Sequence, residues 1–484
     1  MADVVILGAG ISGHTAALHL SRKLPPGSTL TVVSPNADWN WIPSNIWVGV
    51  GRMKPKKVLF KLAPIYKRLG VTFHQAKATA IWPDGDDADP RPGVDIEYTE
   101  PGRAGQTSRI RYDYLVNATG PQLKFGMTPG LGPDGHSASV CTADHAVHAA
   151  DELQRVITEM KQGAERTLVV GMGHGICTCE GAAFEYVFNV DHELRAAGVR
   201  DKARLIYLTN EADLGDFGVG GMVFRQQGYE TTSKIWTESL FRERGVEAIV
   251  GAHVEKVEPG TVHFETLDGE HHTLNFDFAM LLPPFGGVGL KAFSRDGADI
   301  TDTMFAPNGL MKVDADYSGK PYEQWRAEDW PSTYQVPGRD NIWAVGIAFA
   351  PPHQISTPRK SANGTVITPS PPRTGQPSGE MGKAVAMTIL DRIRLGDEAK
   401  PHEASMARLG AACVASAGAD LRTGSAAAMV MMPVVPDKER FPTGRDLKYT
   451  RGEIGLSGHW TKLALHHMFI YKAKALPGWQ LIPE

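Results

Sequence analysis

Residues 4–7 form an unbroken apolar run, "VVIL", which stops at "GAG" and gives way to helix-like spacing in "ISGHTAALHLSRKL". An apolar run, a glycine turn and then a 3.6-residue period predict strand, turn and helix in that order. "GSTLTVVSPN" supplies a second strand, and "YDYLVNATG" and "NIWAVGIAFA" are later apolar runs that meet a glycine. A second strand–glycine–helix unit begins at "RTLVVGMGHG", with "KARLIYLTNEA" as its next strand. Short strands alternating with helices predict open parallel sheets, and two separate glycine starts predict two of them. The expected fold class is α/β, with two Rossmann-like dinucleotide-binding domains. The first is expected to be split between residues 1–120 and 285–390, with the second inserted at 121–284. At 391 the alternation stops, and a C-terminal helical region runs to residue 484. The stretches "PDGDDADPRPG" and "STPRKSANGTVITPSPPRTGQPSG" read as surface insertions.

Composition narrows the classes. A chain of 484 residues is expected to divide into two or three domains. With 42% hydrophobic and 21% charged residues it has the balance of a globular protein, and no apolar run approaches the roughly 18–20 residues of a membrane span. Fifty basic against 54 acidic residues give a net charge of −4. That argues against a nucleic-acid partner, which needs a clustered basic face. With a strand-like "VVILGAG" at the start, no cleaved secretory signal is expected. Four cysteines are too few for a disulfide framework, so each is read by itself. No metal site and no haem-attachment C-x-x-C-H are expected.

Gly8, Gly10 and Gly13 form G-x-G-x-x-G directly between strand and helix. The first glycine permits the tight turn, the second lets the backbone approach a pyrophosphate, and the third lets the helix pack closely. The acidic ribose partner expected after the next strand is absent. Ser34 stands there, either as a weaker hydroxyl partner or as a turn residue before proline. "NATGP", with Thr119 and Gly120, follows a strand that would return beside the first. The two loops together read as an FAD site rather than an NAD site. The second glycine loop reads differently. "GMGHGICTC" displaces the third glycine and puts thiols at the start of a helix, where the partial positive charge is expected to favour thiolate.

At this point the chain resembles the sulfide:quinone oxidoreductases, flavoproteins of the two-dinucleotide-domain disulfide reductase class. The matching stretches are "VVILGAGISG", "PSNIWVGVG", "YDYLVNATGP", "SVCTADHA", "GICTCEGAAFEY", "MLLPPFGGV", "AVGIAFAPP", "PRTG" and "AACVASAGAD". The resemblance implies FAD, sulfide as electron donor and a membrane quinone as acceptor. It implies Cys179 and Cys413 as the redox pair, forming a bridge that sulfide opens to a persulfide, with polysulfide as product. It implies Cys141 as a third station, for which covalent flavin attachment and sulfur relay both stay open. Cys177 is extra to the pattern, either a buried small residue, a spare sulfur acceptor or a rival for the redox role. Ser44, Ala78, Gly346 and Arg373 join the expected flavin contacts, Arg373 standing where the family has lysine.

Glu185, six residues past Cys179, matches a family acid; it reads either as a proton carrier or as an ion-paired helix carboxylate. His145, four residues after Cys141, is expected on the same helix face. Asp216 stands where the family offers a histidine. Trp47 and Phe285 are candidates for the quinone pocket. The tail "HWTKLALHHMFIYKAKALPGW" is apolar and aromatic, interrupted by Lys462, Lys472 and Lys474. It reads as an amphipathic helix lying in a lipid bilayer surface, which makes the protein peripheral (monotopic) on a membrane. The alternative is a domain-packing helix. Self-association into a homo-oligomer is compatible with the resemblance. Rival functions are a type-II NADH:quinone reductase, a flavocytochrome-linked sulfide dehydrogenase, and a flavin sensor of sulfide without turnover.

Overall fold

The computed structural model describes every residue except 227, 419, 420 and 423. Strand Asp3–Leu7 sits centrally in an eight-stranded sheet. Thr29–Ser34 and then Thr72–Trp82 run parallel on one side of it, and Tyr114–Asn117 and then Ile342–Ala344 run parallel on the other. Two antiparallel strands, Gly93–Tyr98 and Thr107–Arg111, finish one edge. Val4, Val5, Ile6 and Leu7 are all buried, as expected of a parallel strand covered by helices on both faces. Helix α1 (Ile11–Lys23) follows the first glycine loop. A Cβ on Gly382 would come within 2.2 Å of the Ser12 carbonyl oxygen, so a glycine is what lets a later helix lie this close to α1.

Helix α2 (Ala143–Lys161) starts at a Thr142 cap, whose hydroxyl accepts from the His145 amide at 3.1 Å. A second, four-stranded parallel sheet has the order Glu247–Ile249, Ala203–Leu208, Arg166–Met172, Phe278–Leu282. Helix α3 (Glu180–Ala196) runs from the second glycine loop. Both expected parallel sheets are therefore present. Helix α4 (Gly375–Leu395) is the one that carries Gly382 against α1.

The C-terminal region departs from the helical expectation. Ala411–Ala417, Ser425–Met431 and Arg451–Gly455 form antiparallel strands, and Val223–Gln226 and Tyr229–Thr232 from the middle of the chain join the same sheet. The end of the "AACVASAGAD" stretch, Ala419 and Asp420, lies outside the described residues. Helix α5 (Leu456–Ala473) closes the fold. Its buried positions include His459, Lys462, His466 and Lys472, while Trp460, Met468 and Tyr471 are exposed. Among the described residues no helix is long and apolar enough to cross a membrane.

Candidate active site

The first glycine loop has the close backbone approaches expected at Gly8 and Gly13. Gly8 has φ +95°, and a Cβ there would meet the Ala118 carbonyl oxygen at 2.1 Å; one on Gly13 would meet the Gly8 carbonyl oxygen at 2.1 Å. Nothing lies within 4 Å of a Cβ on Gly10, which leaves that face of the loop open. Thr119 folds back through its amide and hydroxyl, which both donate to Asn117 Oδ1 at 3.3 and 2.8 Å, and Gly120 follows with φ +71°. Gly346 abuts Ser12 of α1. Arg373 donates to the carbonyls of Gly346 and Phe349 at 3.2 and 3.0 Å, its buried Nε has no partner, and burial pulls its pKa down to about 10. Ser34 is buried at its strand end and accepts from the Asn36 amide.

An open glycine face for a pyrophosphate, with a buried and incompletely satisfied cation nearby, fits a bound dinucleotide of the FAD type. Two expected contacts look elsewhere. The Ser44 hydroxyl is buried in a 2.8 Å hydrogen bond with His466 Nδ1 of α5, and Ala78 sits opposite Ile96 beside a bulge in its strand. Asn45, next to Ser44, donates to the Val140 carbonyl and so ties the "PSN" stretch to the Cys141 station.

The second glycine loop is covered by the chain itself. A Cβ on Gly175 would strike the Val366 carbonyl oxygen at 2.3 Å. The Thr368 amide donates to the Gly175 carbonyl at 2.8 Å, and the Ser370 amide and hydroxyl donate to the carbonyls of Cys177 and Ile176, each at 2.9 Å. Residues 366–370 thus run along the loop on which a nicotinamide dinucleotide would otherwise lie. This corrects part of the surface-insertion reading, since Ile367 and Thr368 are buried.

All four cysteines are free thiols. Cys179 is the residue from which α3 starts, and its φ of +73° is uncommon for a residue with a side chain. The pull of the helix end towards a thiolate meets an opposing effect. Burial, then the Glu180 carboxylate, push the Cys179 thiol up to about 12. Desolvation outweighs the partial charge of the helix end. Cys141 is electrostatically coupled to both Cys177 and Cys179, and burial lifts its own thiol to about 11. Cys413 approaches from strand Ala411–Ala417, its Sγ 2.8 Å from where a Cβ on Gly181 would stand. Cys177 is fully buried and donates to the Leu282 carbonyl at 3.1 Å, in keeping with a packing role.

One acid–base expectation changes, that for His145, and Glu185 takes the ion-paired form that was one of its two alternatives. Cys141 precedes α2 rather than lying on it, so the shared helix face with His145 does not exist; the His145 ring sits edge-on to Phe125. Glu185 lies beside Cys413, accepting from Lys462 Nζ at 3.0 Å and from the Ser416 amide at 3.1 Å. Asp216 is buried, accepts from the Ser356 hydroxyl and the Gly218 amide, and has its pKa raised chiefly by burial. Trp47 is core, its indole N–H donating to the Ser416 carbonyl. Two functional candidates escaped the sequence reading: Lys462, taken for a membrane-flanking cation, and Glu180, whose position directly after Cys179 was the available signal.

The chain is 29% identical over 473 residues to the sulfide-quinone reductase of Aquifex aeolicus (strain VF5), covering 97% of this chain and 91% of that protein. It is 25% identical over 289 residues to a mitochondrial sulfide:quinone oxidoreductase of Dictyostelium discoideum, covering 58% and 56%. The crystal structure of the sulfide:quinone oxidoreductase from Aquifex aeolicus superposes with a TM-score of 0.74 at 27% identity, covering 98% of this chain and 92% of that one. NDH2 from Plasmodium falciparum, solved with NADH, shares the fold alone, with a TM-score of 0.61 at 13% identity over 100% and 95% of the two chains. The family model of pyridine nucleotide-disulphide oxidoreductases matches residues 2–292. That match takes in both glycine loops and more than half of the sequence, and the chain belongs to the pyridine nucleotide-disulphide oxidoreductase family.

Proposed function

We propose that this protein is an FAD-dependent sulfide:quinone oxidoreductase, working from a flavin domain split between residues 1–120 and 285–390. The observation that carries the reading is the second glycine loop. Its backbone is paired with residues 368–370 and its helix begins at a cysteine, so a site for nicotinamide has become a site for sulfur. FAD, when bound, supplies the two-electron redox step.

Gly8, Gly10, Gly13, Thr119 and Gly120 would hold its phosphates and sugar, and Ser34 would offer a hydroxyl to its ribose. Arg373, coupled to Cys179 and bonded to the Gly346 carbonyl, places a cation between the flavin site and the thiols. Cys179 and Cys413 act as the exchange pair. Sulfide adds to one sulfur of their oxidised form; the S–S bond breaks, leaving a persulfide on one cysteine and a thiolate on the other. Cys141, whose charge would be felt at Cys179, receives or relays sulfur in this reading. Glu185, held by Lys462 beside Cys413, manages the proton of that thiol.

The quinone is collected from a bilayer on which the outer face of α5 rests. Anaerobic titration of the purified protein tests the reading. Stoichiometric sulfide should bleach the flavin and decylubiquinone should restore it. Bleaching by NADH instead would favour the type-II reductase, and sulfide bleaching without recovery would favour a sensor.

A further inference from the structure

Glu180 follows Cys179 directly and opens α3. It is 0% exposed, and neither carboxylate oxygen has a hydrogen-bond partner among the described residues. Asn210, beside it, gives its amide hydrogens to the carbonyls of Gly175 and Cys177, each at 3.2 Å. Two more buried carboxyls stand behind it. Glu211 is satisfied by the Phe217 amide at 2.8 Å and the Thr209 hydroxyl at 2.9 Å, and Asp216 by Ser356 and the Gly218 amide. Glu180 is thus the least satisfied of the three: neither oxygen has a well-aligned donor, although the Asn210 side chain and the Glu180 amide lie near enough to temper its charge. A buried carboxylate in that state is costly, and binding a proton is the way to relieve it.

We propose that Glu180 sets when Cys179 ionises: its carboxyl, backed by Glu211 and Asp216, holds a proton beside the sulfur, and losing that proton opposes formation of the Cys179 thiolate. The coupling is by charge, and no proton need pass between the two side chains. An uncharged Glu180 leaves Arg373 as the nearby charge and lets the thiolate form. The other groups facing the pair are Cys141 and Cys177, Tyr207 with its hydroxyl on the Glu180 carbonyl at 3.2 Å, and Arg445 beyond Asp216. Burial pushes the Glu180 carboxyl well above the ordinary carboxylate range, and Glu211 reinforces it. The inference rests on the sulfur role assigned to Cys179.

The test is the pH profile of Cys179 alkylation by iodoacetamide in the reduced holoenzyme, read at the Cys179 peptide by mass spectrometry. Glu180→Gln should move the profile about one unit lower, making alkylation about tenfold faster below the midpoint. Glu211→Gln should move it the same way by less, and the Cys413 rate should stay unchanged as an internal control. A Cys179 profile in Glu180→Gln that matches the parent, with FAD retained, would overturn the proposal. If that variant loses FAD, unchanged profiles in both Glu211→Gln and Asp216→Asn overturn it equally. Turnover in Cys179→Ser separates the two ideas, because sulfide oxidation surviving there sinks the role of Cys179 and leaves the measured coupling untouched.

Discussion

Cys177 and Cys179 lie two residues apart in different surroundings. Cys177 is sealed against the Leu282 carbonyl, a bond that a serine hydroxyl can also make, whereas Cys179 stands part-exposed at the start of α3 beside Cys141 and Arg373. Cys179→Ser and Cys413→Ser should each abolish sulfide-driven quinone reduction while retaining FAD, and Cys177→Ser should stay within a few-fold of the parent. A dead Cys177→Ser with an active Cys179→Ser would reverse the assignment. Glu211 makes a prediction of its own. Burial is the main cause of its pKa of about 7, against 4.5 ordinarily. Between those values the folded protein holds the proton more often than the unfolded chain, so this group's contribution to stability falls as pH rises, then levels above about 7. The melting-temperature difference of Glu211→Gln over the parent should therefore grow from pH 5 to pH 7 and then stop growing. A difference constant with pH would show that Glu211 titrates normally.

Helix α5 shows what an element reading recovers and what it misses. Its positions 459, 462 and 466 follow helical spacing, but they carry His, Lys and His and face inward. Apolar periodicity identifies a buried face only when burial is apolar; here the inward face is polar because Glu185, Ser44 and Ser416 await it. The same limit hid the cover on the second glycine loop, because residues 366–370, "VITPS", pair largely through backbone groups, which sequence polarity does not report. The glycine loops and cysteine stations were legible because their chemistry depends on residue type at fixed spacing. Cys141 and His145 were misplaced because the helix begins after Cys141, at its Thr142 cap. Breaking a buried ion pair by removing one partner costs about 3–5 kcal/mol. Lys462→Met should accordingly lower stability by that order in denaturant unfolding, and adding Glu185→Gln should recover part of it. A single variant as stable as the parent would mean that Lys462 and Glu185 do not depend on each other.

Across the whole molecule, α5 ties the C-terminal end to α1, α3 and the "PSN" stretch. Besides Lys462 on Glu185 and His466 on Ser44, the His14 ring of α1 bonds the Ala473 carbonyl at 2.7 Å, and Lys472 and His19 both meet Glu484. Deleting the tail would therefore uncover buried polar groups, and a truncated chain cannot isolate a membrane role. The outer face of α5 can be changed without touching these contacts. Trp460, Met468 and Tyr471 are 49%, 38% and 39% exposed, whereas Phe469 is stacked on Trp41 at 5.0 Å and belongs to the interior. Fully burying a large apolar side chain contributes roughly 1.5–3 kcal/mol; these three, less than half exposed, would each give a part of that to attachment on a bilayer. Serine at all three positions should abolish flotation with liposomes and slow reduction of a long-chain quinone, while a short soluble analogue is reduced at the parent rate. The charge pattern predicts a second signature. Lys462 and Lys472 are engaged inward, so the attraction to anionic lipid that a tail of three lysines suggests is largely absent, and high salt should release little of the parent protein. A triple variant that still floats, or a parent that salt strips from membranes, would move the contact to another surface.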